Sequence, residues 1–410
     1  VKAASPSITR ARDLRPASAA SVGGQCRRPV SADYRHTDAS AFFIGLFQIC
    51  PLANGGRLDL YQKQLPHNDP LRKICKDPSC WVPKAPTSQK RGRDRMSKTF
   101  NEKSTTDEVL EGRDLTGKHA LVTGVSSGLG VETVRAAIAH GATILGAARD
   151  LPKAKRALAE AMGEKAFNEK VELLDLDLSS LKSIRTAADK VNAAGKKFDV
   201  VIANAGIMAC PKGFTEDGFE LQFGSNHLGH FVFVNRIAGQ IMDGGRVVCL
   251  SSGGHHFSDV DLKDPNFETT PYEEFLSYGR SKTANILFAV EFDRRHKARG
   301  VRATAVHPGA IHTELSRHLD MSKMQAILEA MKTSGARPIE FKTVPQGAAT
   351  SIWAGFVAPA DAIGGRYCQD CQVAKVSDDV KDAGVRSYAL DPENAKNLWA
   401  LSEKMVGETF

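Results

Sequence analysis

From residue 117 onward, short apolar runs alternate with longer stretches of helical periodicity, and this alternation restricts the chain to few folds. His119–Thr123 precedes Val131–His140, Ala142–Ala148 precedes Pro152–Met162, and Val171–Leu176 precedes Ser180–Ala194. Phe198–Ala203, Gly218–Met242, Arg246–Leu250, Glu273–Arg299 and Val301–Val306 continue the series. Runs built almost wholly of Val, Ile, Leu and Ala suit strands buried on both faces, as in a parallel sheet. The expected architecture is therefore α/β: a Rossmann-type doubly wound parallel sheet with helices on both faces, forming a single domain over 117–410.

The first 95 residues differ in kind. They hold half of the 18 prolines and show no sustained periodicity. They carry 17 Lys/Arg against 7 Asp and no Glu, whereas residues 96–410 carry 38 basic and 40 acidic residues. The overall charge of +8 thus belongs to this extension, and the main body is not a basic nucleic-acid surface. The extension reads as disordered. Our leading expectation is that Met96 is the natural start, with residues 1–95 upstream sequence translated in frame. An organellar targeting segment and a basic arm for nucleic acid or acidic lipid are the alternatives. Residues 96–116 are a lead-in. No apolar run reaches the length of a membrane span, and a cytoplasmic location is expected, with organellar targeting by residues 1–95 as the alternative. Eight cysteines do not suggest a disulfide scaffold.

Two local patterns carry chemistry. Thr123-Gly124-Val-Ser126-Ser127-Gly128-Leu129-Gly130 closes the first strand and opens the first helix. Its glycines allow a sharp turn and a close backbone approach to a pyrophosphate at a helix N-terminus. At the end of the second strand stands Arg149, suited to a ribose 2′-phosphate, which favours NADP(H). Asp150 one step later, and Ser127 where a basic residue would strengthen that reading, leave NAD(H) open. Asp177 and Leu178 follow the third strand, placed to flank an adenine.

The second pattern is Tyr278-Gly-Arg-Ser-Lys282, whose spacing puts both side chains on one helix face. A free tyrosine has a pKa of about 10, and a neighbouring ammonium is expected to lower it. Ser252 follows an apolar strand, at the end where open α/β sheets bind ligands, with Ser251 beside it. Asn226 lies within a helical stretch, where asparagine is mildly unfavourable.

In order along the chain, the glycine turn, Asn204-Ala205-Gly206, Asn226, Ser252, Tyr278/Lys282 and His307-Pro308-Gly309 resemble the motifs of short-chain dehydrogenases/reductases. The resemblance covers about 115–407. It implies that Tyr278 is the acid/base, that Lys282 lowers its pKa and holds the ribose, and that Ser252 polarises the substrate oxygen. It implies further that Asn226 supports a water relay to Lys282, that Asn204, Ala205 and Gly206 line the cofactor cleft, and that Pro308, Gly309 and Thr313 contact the nicotinamide carboxamide. The activity implied is interconversion of an alcohol and a carbonyl; the rival reading is a catalytically silent NADP-binding scaffold or redox sensor.

The offset of 26 positions from Ser252 to Tyr278, with the insert His255–Asn266, Ala284–Phe288 and Gly365–Cys371, is similar to that of the retinol-dehydrogenase-like branch, which is also related to WW-domain oxidoreductases. That similarity implies a small apolar carbonyl or alcohol substrate, a flexible lid at 314–343, and a homo-oligomer as one option. No metal is expected at His255-His256, which should border the substrate mouth, and Cys368 and Cys371 are expected to be structural thiols.

Overall fold

The computed structural model describes residues 99–315 and 340–410, with Ser322, Gln325, Glu329, Thr333 and Gly335 between them. The basic extension and most of the expected lid lie outside the described residues. Among those described, eight strands form one sheet in the order β10-β9-β6-β5-β4-β1-β2-β3. The strands are β1 (His119–Thr123), β2 (Thr143–Ala148), β3 (Val171–Asp175), β4 (Phe198–Ala203), β5 (Ile241–Leu250), β6 (Arg302–His307), β9 (Tyr367–Gln369) and β10 (Gln372–Val373). All pair in parallel except β10, which turns back antiparallel on β9. Two short strands, β7 (Ala310–Ile311) and β8 (Phe341–Lys342), pair apart from the main sheet. The direction of winding reverses between β1 and β4, and the crevice outside the strand ends at such a reversal is where open α/β sheets take ligands.

Both faces of the sheet are buried, as the unbroken apolar strands require. Leu121, Val201, Val247 and Cys249 point into one core, where Phe231, Phe288 and Trp399 pack. Ala120, Val122, Val200, Val248 and Leu250 point into the other, against helix Gly128–Ala139 and helix Val344–Ile352. Successive strand residues therefore serve opposite cores. The C-terminal helix Pro392–Val406 closes the first core. Trp399 stacks on Phe288 with ring centres 5.8 Å apart, and Arg185 and Arg236 both grip Glu408 just beyond the helix.

One expected boundary is wrong. The helical pattern over Gly218–Met242 breaks earlier: the helix ends at Arg236. Ala238–Gln240 form a 3-10 turn, and Ile241 and Met242 open β5. Ile237 abandons the helical ψ, and Gly239 contributes no side chain to hold another turn. In the lead-in, helix Thr106–Leu110 starts with a complete capping box between Thr105 and Glu108.

Candidate active site

A cleft of about 1750 Å³ runs along the carboxyl ends of β1, β4, β5 and β6. It is lined by all the expected catalytic and cofactor-binding residues except Asn226, which stands one layer behind. At one end lies the glycine turn. Gly124 has φ +74°, a conformation side chains resist, and its N–H donates to Ala147 O at 2.7 Å. Ser127 precedes helix Gly128–Ala139 and makes no cap hydrogen bond with its side chain. Asn204 knits β4 to this turn, with Nδ2 donating to Thr123 O at 2.7 Å and to Gly124 O at 3.3 Å. The backbone N–H groups of Asn204 and Ala205 both donate to Thr123 Oγ1, at 3.0 Å each. Cramped backbone at the helix start and open cleft beyond it fit a bound pyrophosphate.

Asp150 and Asp177 have structural partners. Asp150 Oδ1 accepts from Lys153 N at 2.9 Å and so caps helix Leu151–Met162. That leaves Arg149 as the exposed group at the end of β2, and among the described residues it has no carboxylate partner. Asp177 Oδ1 accepts from Ser179 N and Oγ, which tightens the turn after β3.

At the other end, Tyr278 and Lys282 project from helix Glu274–His296, both buried. Lys282 Nζ stands 5.6 Å from the Tyr278 ring centre and donates to Leu250 O at 3.2 Å. The two adjacent serines separate cleanly. Both border the cleft, but Ser251 Oγ donates to Lys282 O at 2.8 Å, whereas Ser252 interacts with the Tyr278 hydroxyl. Ser252 Oγ also accepts from Gly254 N at 3.0 Å.

The expected direction of the tyrosine shift is not found. Burial pushes the Tyr278 hydroxyl up to about 12, and Ser252 pulls it only partly back. Burial also draws Lys282 down to about 8. Loss of water penalises both charged forms here, raising the tyrosine and lowering the lysine.

Asn226 sits in a π-helical turn, Gly224–Leu228, a distortion frequent at functional sites. Its Oδ1 accepts from Ile207 N at 2.9 Å, and its Nδ2 donates to Ile207 O and Ser281 Oγ. The side chain thus pins the β4 loop to the tyrosine helix. Its backbone carbonyl is 3.0 Å from His230 Nδ1. A carbonyl only accepts, so Nδ1 bears the proton and Nε2 accepts from Thr123 Oγ1 at 2.9 Å. This bridge from the glycine turn to Asn226 went unread in the sequence, although the Asn226-His-Leu-Gly-His230 string held its ends four residues apart.

His255 is also structural. Its Nδ1 donates to Ser252 O at 2.8 Å, and its Nε2 accepts from Arg386 N at 3.2 Å. Of the pair, His256 alone reaches the cleft. His307 Nδ1 accepts from Gly253 N at 3.0 Å and ties the Ser252 loop to β6. No group of metal-ligating side chains occurs among the described residues. Cys368 and Cys371 are free, buried thiols, with burial raising them to about 11 and about 12.

Burial holds His227 at about 3, His230 at about 4, His255 at about 3 and His307 at about 4. Each lies below the unfolded value of about 6.5. The unfolded chain therefore binds more protons between those limits, and stability falls as pH drops below about 6.5. Denaturant titrations at pH 7.5 and pH 5 should show a loss at pH 5 of about 1–2 kcal/mol for each such histidine. Equal stability at both pH values would contradict their burial as neutral imidazoles.

The short chain dehydrogenase profile matches residues 118–323. A short-chain dehydrogenase/reductase, prx1 of Penicillium roqueforti, is 40% identical over 299 residues, covering 70% of this chain and 84% of that protein. Human retinol dehydrogenase 14 is 35% identical over 305 residues, covering 71% and 87%. A crystal structure of an uncharacterised protein from Mycobacterium paratuberculosis is 33% identical, with a TM-score of 0.56 over 72% of this chain and 96% of that one. The chain belongs to the short-chain dehydrogenase family and is an oxidoreductase of its retinol-dehydrogenase-like branch. Among the described residues, no helix is long and apolar enough to cross a membrane.

Proposed function

We propose that the protein interconverts an alcohol and an apolar ketone or aldehyde, with NADP(H) as preferred cofactor. The observation that carries this reading is the convergence of Tyr278, Ser252 and Lys282 on the cleft that the glycine turn opens. NADPH would supply the hydride when bound. The glycine turn and the N-terminus of helix Gly128–Ala139 would hold its pyrophosphate, Lys282 its nicotinamide ribose, and Pro308, Gly309 and Thr313 its carboxamide. Asp177 and Leu178 would flank its adenine.

In reduction, Tyr278 donates its hydroxyl proton to the substrate oxygen while Ser252 hydrogen-bonds that oxygen as charge develops. A tyrosine held protonated by burial begins in the right state for this step. Met208, Leu221, Phe257 and Phe275 line the substrate side, which supports an apolar substrate.

Two tests follow from the charges. With Asp150 engaged as a helix cap, Arg149 is the group left for a 2′-phosphate. Arg149→Ala should weaken NADPH binding about 10- to 100-fold, in line with the loss of a charge-assisted hydrogen bond, and leave NADH binding nearly unchanged. Fluorescence titration measures both, and a wild-type preference for NADH would refute the assignment. The second test is the pH profile of carbonyl reduction. Lys282 loses its proton as pH rises through about 8, while Tyr278, at about 12, keeps its own. The kcat/KM should therefore be level near pH 7 and decline above about pH 8; a profile level to pH 10 would remove Lys282's charge from the reaction.

A further inference from the structure

Two imidazoles that line the cleft each keep a polar atom that the protein itself does not use. His307 closes β6 and lines the cleft. Its Nδ1 faces two backbone donors, Gly253 N at 3.0 Å and Gly309 N at 3.4 Å, so Nδ1 is the unprotonated nitrogen. Burial, followed by the nearby Lys342 ammonium, draws the ring down to about 4, and His256 adds to that lowering. The ring is therefore neutral at pH 7, with its single proton on Nε2. His256 also lines the cleft and is the converse case. Its Nε2 is 2.9 Å from Gly384 O, and a carbonyl only accepts, so Nε2 bears the proton. Burial lowers its pKa too, which leaves Nδ1 as a bare lone pair. Among the described residues, neither His307 Nε2 nor His256 Nδ1 has a hydrogen-bond partner, and neither is sealed from solvent.

We propose that His307 and His256 form a specificity-determining pole of the substrate site, which takes a hydroxyl of the substrate: the hydroxyl oxygen accepts from His307 Nε2–H and its proton is donated to His256 Nδ1. This rests on the alcohol–carbonyl reading above and narrows the substrate to an apolar ketone or aldehyde that also carries a hydroxyl. A hydroxyl both donates and accepts, as the two nitrogens require. A carboxylate fits less well. It cannot donate to His256 Nδ1, and the cations bordering this part of the cleft are already engaged. Lys342 Nζ donates to Asp370 Oδ1 at 2.5 Å, and Arg386 Nη1 donates to Ser377 O and Asp379 O. A pure hydrocarbon would strip water from both imidazole nitrogens and return no hydrogen bond, which penalises its binding. Because His307 is tied to Gly253, next to Ser252, the pole stands at a fixed place relative to the reacting carbonyl. The apolar walls would then hold the body of the substrate and the imidazoles would set its direction.

The test is NADPH oxidation by the full chain with apolar ketones in matched pairs, one member bearing a hydroxyl where the other bears hydrogen. The hydroxyl is moved one carbon at a time away from the carbonyl. At one placement it should raise kcat/KM by about 10- to 100-fold, and the methyl ether there, which accepts but cannot donate, should lose most of the gain. His307→Asn and His256→Phe, checked by thermal melting, should each bring the hydroxyl-to-hydrogen ratio to within about threefold of unity. A residue that only braced the Ser252 loop would lower both members of a pair alike and leave the ratio unchanged. If a variant does not fold, the wild-type series with its methyl ether still decides. A ratio near unity at every placement in the wild type, or a ratio retained in the folded variants, would overturn the proposal. Lost NADPH affinity with the ratio kept in His307→Asn would assign the Nε2–H to the cofactor and overturn it too. Reduction of no ketone of either kind would overturn the underlying activity as well. Ready reduction of plain ketones with no preference for the hydroxyl would overturn this inference alone.

Discussion

Replacing Tyr278 with Phe is expected to remove carbonyl reduction almost completely, lowering kcat by at least about 10²–10⁴-fold, the usual contribution of a positioned proton donor. The ring sits buried between Ser252 and Lys282, and phenylalanine keeps its volume, so packing is preserved. Removing a hydroxyl pushed up to about 12 by burial also relieves a buried polar atom, so the melting temperature should not fall. NADPH titration should give affinity within about twofold of wild type, since a shared proton step does not enter ground-state binding. A variant that turns over like wild type would place the proton donor elsewhere. A variant that loses cofactor affinity in parallel would make Tyr278 a binding residue.

The second large effect is expected at Gly130. A Cβ there would come within 2.1 Å of Gly124 O and 2.8 Å of Asn204 Nδ2, and neither neighbour can withdraw. Gly124 O is backbone at a turn with positive φ, and Asn204 Nδ2 holds both Thr123 O and Gly124 O. Gly130→Ala must therefore shift the start of helix Gly128–Ala139 away from β1. Overpacking of this kind costs about 1–3 kcal/mol or more, and the displaced N–H groups no longer face the pyrophosphate. Calorimetry should show a lowered melting temperature, and NADPH affinity should drop by about 100-fold, near 2.7 kcal/mol. Unchanged melting and unchanged affinity would mean that the tight β1–helix contact is not what shapes the dinucleotide site.

The features legible in the sequence are those set by local geometry. The glycine turn reads directly because its constraints act over eight residues, and the Tyr278–Lys282 spacing reads because a helix turn fixes it. The parallel sheet reads because strands with two buried faces cannot carry alternating polar residues. What depends on distant chain was hidden. Nothing in Asp150 itself reveals that its carboxylate turns into the helix that follows. Ser251 and Ser252 are the same residue type, and only the position of the tyrosine helix gives one Lys282 O and the other the Tyr278 hydroxyl as partner. The direction of the Tyr278 shift depends on how completely the fold removes water, which spacing does not encode. His230 required β1 and the Asn226 helix to be brought together. The end of the Asn226 helix at Arg236 was masked because apolar residues run on through Ile237 to Ile241, across Gly239 and into β5.

The central claim is that this cleft passes a hydride between a nicotinamide cofactor and an apolar carbonyl carbon while Tyr278 supplies the proton. The most direct measurement is a single-turnover reaction of the full chain with NADPH carrying deuterium at both positions of nicotinamide C4, against a panel of apolar ketones and aldehydes, with the alcohol products read by mass spectrometry. The account predicts one deuterium on the carbinol carbon for each NADPH oxidised, and no labelled alcohol from Tyr278→Phe. Tight NADPH binding with no labelled alcohol from any member of the panel would contradict it, and would leave a dinucleotide-binding protein that does not perform this reaction.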